Sequence, residues 1–145
     1  MSPGAREFHV HVDGASSGNP GPAAAGVVIT SADDGAVVHE EGCYLGRTTN
    51  NVAEYYALMI ALEELLALRA ESAVVYTDSE LMVMQLTGRY KVKAPGLKFV
   101  HARVKRLSSL LKRFEIRHVP REDNTAADRL ARDAIKDATR KTESR

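Results

Sequence analysis

Four acidic residues stand at positions where an α/β domain commonly places its chemistry. Asp13 and Asp78 each end a run of residues typical of a strand, and Glu54 and Asp128 each lie in the first turn of a predicted helix. If the fold brings these carboxylates together, they repel one another, and some are driven into the neutral form unless a cation is present. Carboxylate oxygens suit Mg²⁺, and Mn²⁺ as a substitute. The four acids therefore predict a divalent metal site.

The charge distribution along the chain indicates what such a site would act on. Four carboxylates can hold two ions, and a pair about 3.5–4 Å apart clamps the attacking and leaving oxygens of a phosphodiester displacement. Residues 81–114 contain nine Lys or Arg and no Asp or Glu, whereas the remainder contains eleven bases and nineteen acids. The basic block alone could be a solvated helix face, but together with the acids it points to a polynucleotide substrate.

Each acid, taken alone, also has an ordinary structural explanation. Asp78 could cap the helix that follows it, and Glu54 could be a first-turn acid favoured by the helix dipole. Glu54, however, shares a helix face with the apolar residues Leu58 and Leu65. A carboxylate at the edge of a buried face needs a partner or a cation, so its position favours a functional role.

The first predicted strand carries Asp13 and organises the sheet. Its apolar and polar residues alternate: Phe8, Val10 and Val12 on one face, and His9, His11 and Asp13 on the other. A period of two is typical of a strand. We interpret the His-x-His pair as part of the polar face, because the barrels in which such a motif binds metal need about 250 residues. The Gly/Pro-rich loop after Asp13 allows the backbone to approach a ligand closely.

The remaining patterns predict an α/β fold with one mixed five-stranded sheet. Further strands are expected at 23–30, 36–44, 73–77 and 114–119, and helices at 50–68, 81–86, 97–113 and from Asn124 or Thr125 onward. Strands one to three would form an antiparallel meander, and right-handed crossovers would place helices on both faces. We expect an ordered core of about residues 6–138 and a polar tail over 139–145.

Composition restricts the class of protein. A chain of 145 residues with 44% apolar and 27% charged residues is most simply one globular domain. It contains neither an apolar run of about 18 residues nor a secretory signal pattern, so we expect no membrane association. The single cysteine, Cys43, excludes an internal disulfide and favours a cytoplasmic setting. The polar C-terminus would suit a linker to a further domain as well as a natural end.

The segments that contain the four acids resemble the motifs of type 1 ribonuclease H, the enzymes that cut the RNA strand of RNA–DNA hybrids. The matching segments are 12–15 (VDGA), 18–21 (GNPG), 49–54 (TNNVAE), 76–79 (YTDS) and 124–131 (NTAADRLA). Each is weak alone, but together they span nearly the whole chain in the family's order. The resemblance implies the ribonuclease H-like fold and a two-metal-ion endonuclease that leaves 5′-phosphate and 3′-hydroxyl ends. We expect a monomer.

The resemblance also implies roles for individual residues. The metal-binding acids would be Asp13, Glu54, Asp78 and Asp128. The substrate-binding positions would be Gly14, Arg47, Thr49, Asn50, Asn51 and Asn124. Among these, Gly14 would present its backbone to RNA 2′-hydroxyl groups, the groups that distinguish RNA from DNA. Arg47 and Thr49 would hold a phosphate of the DNA strand, and Asn124 we assign to the geometry of its loop.

This chain departs from the family pattern in two places. Many members carry a long basic protrusion, whereas here only residues 88–96 separate two helices, so the basic side of 97–113 would have to substitute in part. The loop before the last helix usually carries a histidine, but residues 120–124 contain none. Arg121 is our first candidate for the auxiliary catalytic role, His118 is the second, and neither residue filling the role is the third alternative.

Two rival functions follow from the same residues. A catalytically silent module could bind hybrids without cutting them, although the presence of all four acids argues against it. A related exonuclease or transposase core could share the fold. The Asp-Gly pair of the first motif differs from the Asp-x-Glu expected of such exonucleases, and the adjacent Asn50 and Asn51 favour a hybrid substrate.

Overall fold

The computed structural model describes residues 6–143. The strands are β1 (Glu7–Ser16), β2 (Gly21–Ser31), β3 (Val37–Thr48), β4 (Ser72–Thr77) and β5 (Arg113–His118). The helices are α1 (Asn50–Ala67), α2 (Glu80–Leu86), α3 (Pro95–Ser109) and α4 (Thr125–Glu143), with a 3₁₀ turn at Arg121–Asp123. The sheet order is β3-β2-β1-β4-β5. Strands β1 to β3 are antiparallel and β1, β4 and β5 are parallel, which confirms the predicted mixed sheet.

Helices cover both faces of the sheet, as predicted. Ala25 and Val27 of β2 belong to the buried apolar cluster that includes Leu58 of α1. Gly26, between them, points to the other face, where an added Cβ would collide with the carbonyl of Ala127 in α4. Because neighbouring residues of a strand face opposite sides, α1 and α4 lie on opposite faces.

Helix α4 lies directly on the backbone of the sheet. Gly26 of β2 and Gly42 of β3 have no side chain to separate them from α4, and a Cβ on either would collide with the carbonyl of Ala127 or Leu130. The facing residues Ala127 and Ala131 are small and fully buried. The position of the first turn of α4 is therefore set by contact between main chains.

The predicted N-cap of α1 needs correction, and the alternative in which Asp78 caps α2 is excluded. Thr49, not Asn50 or Asn51, caps α1, and its hydroxyl accepts a hydrogen bond from the N–H of Val52 at 3.3 Å. Ser79 caps α2 through a bond from Met82 N–H at 3.2 Å. Asp78 therefore does not serve as a cap, and its carboxylate is left for another role.

Two predicted helix ends were also wrong. Helix α3 ends at Ser109 rather than at residue 113, because Arg113 already pairs with Ser72 in the β4–β5 ladder. The chain must leave the helix before that pairing begins. Helix α4 runs through Glu143, beyond position 138 where we expected the polar tail to start. Basic residues in its last turn, Arg140 and Lys141, favour this extension through the helix dipole.

The inward faces of the helices agree with the predicted pattern. The apolar row of residues 97–111 is buried: Leu97, Val100, Val104, Leu107 and Leu111. Within residues 6–143, no helix is both long enough and apolar enough to cross a membrane.

Candidate metal centre and active site

Three of the predicted acids meet where β1 and the parallel strand β4 end. Asp13 lies in β1, Asp78 directly follows β4, and Glu54 reaches in from the first turn and a half of α1. One carboxylate oxygen from each lies within 4.8 Å of the other two. Asp13 and Glu54 are 4% and 6% exposed, whereas Asp78 is half-buried. The predicted convergence of these acids is therefore present in the fold.

The fourth acid, Asp128, approaches the cluster from α4 on the Asp13 side. Its carboxylate interacts with that of Asp13 and lines the same open cleft, of about 420 Å³. Arg132, one helical turn further on, donates from Nε to both Asp128 oxygens at 2.9 and 3.0 Å. Arg121 Nη2 lies 3.9 Å from Asp128 Oδ1. Asp128 thus faces the cleft while two guanidinium groups balance its charge.

Burial and mutual repulsion shift the protonation of the inner acids. Burial raises the pKa of Asp13, and the Glu54 carboxylate raises it further. Burial also raises the pKa of Glu54, although hydrogen bonds from its neighbours offset part of that rise. Burial acts to raise the pKa of Asp128 as well, but its hydrogen bonds with Asp13 and Arg132 outweigh this effect and lower it. A divalent cation bound between Asp13 and Glu54 would act against the rise in both pKa values, because it neutralises the same negative charge.

Both oxygens of Glu54 are held by hydrogen bonds. The N–H of Gly14 donates to Oε1 at 2.7 Å, and the hydroxyl of Thr77 donates to Oε2 at 3.3 Å. Thr77 also accepts a bond from the N–H of Ser79 at 3.0 Å, which ties the end of β4 to the start of α2. Gly14 packs so closely on α1 that a Cβ would collide with the main chain of Ala53 and Glu54. These contacts fix the direction of the Glu54 carboxylate.

The same hydrogen bond restricts the role expected of Gly14. Its N–H is taken by Glu54, so that donor is not free for a substrate 2′-hydroxyl. Gly14 nevertheless lines the cleft, beside Ala15 and Ser16. Any backbone contact from this segment must therefore use groups other than the Gly14 N–H.

The two adjacent asparagines expected to contact a hybrid lie at the mouth of the cleft. Asn50 and Asn51 both line it. The side-chain carbonyl of Asn50 accepts a hydrogen bond from the Ser16 hydroxyl at 2.9 Å. The backbone N–H of Asn50 donates to Asn19 Oδ1 at 3.1 Å. These bonds fasten the Gly/Pro-rich loop after β1 to the start of α1.

Arg47, Thr49 and Asn124 were also expected to bind substrate, but none of them lines the acidic cleft. Arg47 lines a separate depression with Leu45, Thr48, Val52 and Tyr56. Thr49 uses its hydroxyl to cap α1.

Asn124 is 1% exposed, and its Nδ2 donates to the carbonyl of Val12 at 2.9 Å. This geometry favours the role of Asn124 in holding its loop over direct contact with a substrate. Because Val12 is next to Asp13, the bond ties the loop before α4 to the strand that carries the first acid.

Both candidates for the auxiliary role line the acidic cleft. Arg121 lies in the 3₁₀ turn with its side chain 66% exposed, so it can move towards a bound phosphate. His118 ends β5 and pairs in register with Thr77, the residue that holds Glu54. Of the residues on this face of β5, His118 is the one that reaches the cleft.

Sequence reasoning missed two residues that orient the acids. Arg132 stands four residues after Asp128, a spacing that brings opposite charges together on a helix and could have identified it. Thr77 is fully buried beside Glu54. Nothing in its sequence context distinguishes it from an ordinary strand threonine.

The basic block is only partly available to a polyanion. Arg103 pairs with Glu63 at 3.5 Å and Lys112 with Glu71 at 3.8 Å, so acids of neighbouring elements neutralise part of its charge. The segment after α2 forms a shallow depression lined by Leu81, Arg89, Tyr90, Lys91 and Lys93. Tyr90 is 55% exposed there. This depression is the part of the block that combines basic and aromatic side chains.

Comparison with known proteins places this site in a family context. A family model described as reverse transcriptase-like matches residues 11–134. The chain is 45% identical over 126 residues to the bifunctional protein Rv2228c of Mycobacterium tuberculosis, an alignment that covers 87% of this chain and 35% of that protein. It is 44% identical over 130 residues to ribonuclease HI of Halobacterium salinarum, covering 90% of this chain and 65% of that one.

Solved structures resemble the whole fold. The N-terminal RNase H domain of Rv2228c superposes with a TM-score of 0.90 at 42% identity, covering 95% of this chain and 99% of that one. LC11-RNase H1 in complex with an RNA/DNA hybrid superposes with a TM-score of 0.84 at 42% identity, covering 91% and 99%. The chain spans about a third of the mycobacterial proteins it matches, so their further segments have no counterpart in the alignment.

Proposed function

Because this chain belongs to the type 1 ribonuclease H family, we propose that it is an endonuclease that hydrolyses the RNA strand of RNA–DNA hybrids. Its products would be 5′-phosphate and 3′-hydroxyl ends. The observation that carries the proposal is the meeting of Asp13, Glu54 and Asp78, with Asp128 alongside, in an open cleft. A similar protein, LC11-RNase H1, has been solved with an RNA/DNA hybrid, which supports the choice of substrate. We further propose that the protein acts as a cytoplasmic monomer.

The donor atoms of the cleft fit Mg²⁺, with Mn²⁺ as a substitute. All four groups are carboxylates, the ligands that these ions prefer, and burial together with repulsion raises the pKa of Asp13 and of Glu54. We propose that Asp13, Glu54, Asp78 and Asp128 hold two divalent ions. When bound, such a pair supplies an activated water and stabilises the charge on the leaving oxygen.

The residues around the acids keep the ligand set in place. Gly14 and Thr77 fix both oxygens of Glu54, so that this carboxylate cannot rotate out of the cleft. Arg132 holds Asp128 in the same way from one helical turn away. Arg121 lies at the rim, where its guanidinium can donate to a phosphate oxygen as negative charge develops.

Recognition of the hybrid would use the surfaces on either side of the acids. Asn50 and Asn51 are amides at the mouth of the cleft and can exchange hydrogen bonds with sugar or base edges. Arg47 would hold a phosphate of the DNA strand in the separate depression that it lines, and Thr49, two residues further along the chain, would contribute to the same contact. The basic depression around Tyr90 would support the duplex further out, in place of the missing protrusion.

The test is cleavage of a labelled hybrid in the presence of Mg²⁺ or of a chelator. We expect cleavage only with the metal, and a preference for the hybrid over double-stranded RNA and double-stranded DNA. Asp13→Asn should abolish cleavage while hybrid binding remains, and Asp33→Asn, an exposed turn residue, serves as the matched control. Binding without cleavage at any metal concentration would favour a silent hybrid-binding module. Retention of more than about 10% of activity by Asp13→Asn would contradict the metal role.

A further inference from the structure

A second cluster of possible metal ligands lies away from the acidic cleft. It joins the edge strand β3 to the C-terminal half of α1. One atom each from His39, Glu41 and Glu64 lies within 4.8 Å of the other two. The side chains are 25%, 36% and 35% exposed, so solvent and ions can reach them.

The pleat of β3 and the packing of α1 create this cluster. His39 pairs with Ile29 and Glu41 with Val27, and both partners belong to the buried cluster under α1. His39 and Glu41 therefore point to the α1 side of the sheet. Glu64 of α1 is half-buried opposite them.

Two carboxylates approach the same imidazole from two directions. Glu41 Oε1 lies 2.8 Å from His39 Nε2, and Glu64 Oε1 lies 3.6 Å from His39 Nδ1. The two carboxylates of the trio carry two negative charges. A divalent cation would neutralise them without requiring a proton on the ring.

We propose that His39, Glu41 and Glu64 form a binding site for a divalent transition metal ion, for which Zn²⁺ is the probe. One imidazole nitrogen and two carboxylate oxygens suit Zn²⁺, whereas Mg²⁺ favours oxygen ligands alone. Ligands of a tetrahedral zinc site lie about 3.4 Å apart, given bond lengths of about 2.0–2.2 Å. Small side-chain rotations at this accessible edge bring the three atoms, now within 4.8 Å, to that spacing. Water would complete the coordination shell.

A bound ion would cross-link β3 and α1. Because the ion binds the folded arrangement of two elements far apart in sequence, it must stabilise the folded state. We expect saturating Zn²⁺ to raise the melting temperature by at least about 3 °C.

The experiment uses the full chain carrying Asp13→Asn, which weakens competing binding in the acidic cleft. Zn²⁺ is titrated calorimetrically while histidine ring resonances are followed by NMR. The chain has five histidines, so each ring can be assigned. We expect one equivalent of Zn²⁺ to shift the His39 resonances. His39→Ala should weaken binding at least about tenfold, since even loss of an outer partner of a metal ligand can cost that much.

Two further variants make the result decisive. Glu64→Gln keeps the size of the side chain and should also weaken Zn²⁺ binding, which separates a lost ligand from a lost fold. Glu40→Gln alters an exposed neighbour on β3 and should leave the affinity for Zn²⁺ unchanged. His11→Ala, which removes a different histidine, should also leave the affinity unchanged. If Zn²⁺ shifts only other histidines, or if His39→Ala and Glu64→Gln leave the affinity within about twofold, the trio is an ion-pair network and the proposal is overturned.

Discussion

The backbone N–H of Gly14 donates a hydrogen bond of 2.7 Å to Glu54 Oε1. Strand β1, which carries Asp13, is thereby joined directly to the helix that carries the second acid. The contact is possible because Gly14 has no side chain, and the main chain of α1 occupies the space a Cβ would need. The relative positions of two acids thus depend on one glycine.

Gly14→Ala should therefore damage both the fold and the site. An added methyl group must push β1 and α1 apart, and we expect a loss of about 1–3 kcal/mol in the free energy of unfolding. Hybrid cleavage should fall further than the folded fraction does, because Glu54 loses its orienting donor. Urea unfolding and a cleavage assay on the same samples measure the two effects. Gly96→Ala, at a position with open space around the Cβ, should leave both unchanged or slightly improved. Equal behaviour of the two variants would contradict the close-packing explanation.

Asp13→Asn should stabilise the metal-free protein at neutral pH. Because the pKa of Asp13 is raised in the folded state, the folded protein binds more protons than the unfolded chain above about pH 4. Stability is then lost as pH rises through the raised pKa values of Asp13 and Glu54. Removing one charge should make the protein more stable by about 0.5–2 kcal/mol near pH 8.

The measurement is urea unfolding in a chelating buffer at pH 5 and pH 8. Wild type should be less stable at the higher pH, and Asp13→Asn should show a smaller decrease. Asp128 has a lowered pKa, so its contribution has the opposite sign and is lost only at acidic pH. Identical pH profiles for wild type and Asp13→Asn would show that neither burial nor the neighbouring carboxylates raise the pKa of Asp13 in the folded protein.

Arg121→Ala should lower kcat for hybrid cleavage by about 10- to 100-fold, less than the about 100- to 1,000-fold loss for a fixed buried donor, because the Arg121 side chain is exposed. The KM should change little, since the side chain is 66% exposed and lies at the rim of the cleft. His118→Ala is expected to leave kcat within about twofold. Arg117→Ala removes an exposed arginine that pairs with Glu115 and serves as the control. A larger loss in His118→Ala than in Arg121→Ala would reverse the assignment.

Asn124→Ala should act through stability rather than through substrate affinity. The change removes the donor to the carbonyl of Val12 and leaves that buried acceptor unsatisfied, which costs about 1–3 kcal/mol. Asn51→Ala, in a residue that lines the cleft, should instead raise the KM for hybrid with little change in unfolding. Urea unfolding together with steady-state kinetics separates the two patterns. A raised KM and unchanged stability in Asn124→Ala would show that this buried amide does contact the substrate.

The sequence was sufficient to predict the features that depend on local periodicity. Alternation in residues 6–13 predicted the strand that carries Asp13, although β1 continues to Ser16 instead of ending at Asp13. Helical spacing put Glu54 on the buried face of α1, as the structure confirms. The sequence did not reveal which hydroxyl caps each helix. Thr49 and Ser79 each compete with a neighbouring Asn or Asp of similar capping preference, and tertiary packing decides between them.

Interactions between distant parts of the chain were the least predictable. Asn124 and Val12 are 112 residues apart, and their hydrogen bond exists only because α4 packs beside β1. The contact between Glu64 of α1 and His39 of β3 likewise depends on packing of the helix against an edge strand, which local sequence does not reveal. By contrast, the pairing of Asp128 with Arg132 depends only on helical spacing and could have been foreseen.

The contact between α4 and Gly26 and Gly42 has a consequence for how this domain can change over evolution. With main chain against main chain, no rearrangement of side chains can absorb a larger residue at either position. A larger residue there would displace the whole of α4 from the sheet and move Asp128 away from the other three acids. Most of the apolar core lies on the opposite side of the sheet and would stay in place. A descendant could therefore lose its chemistry through a glycine that touches neither metal nor nucleic acid and still persist as a folded protein.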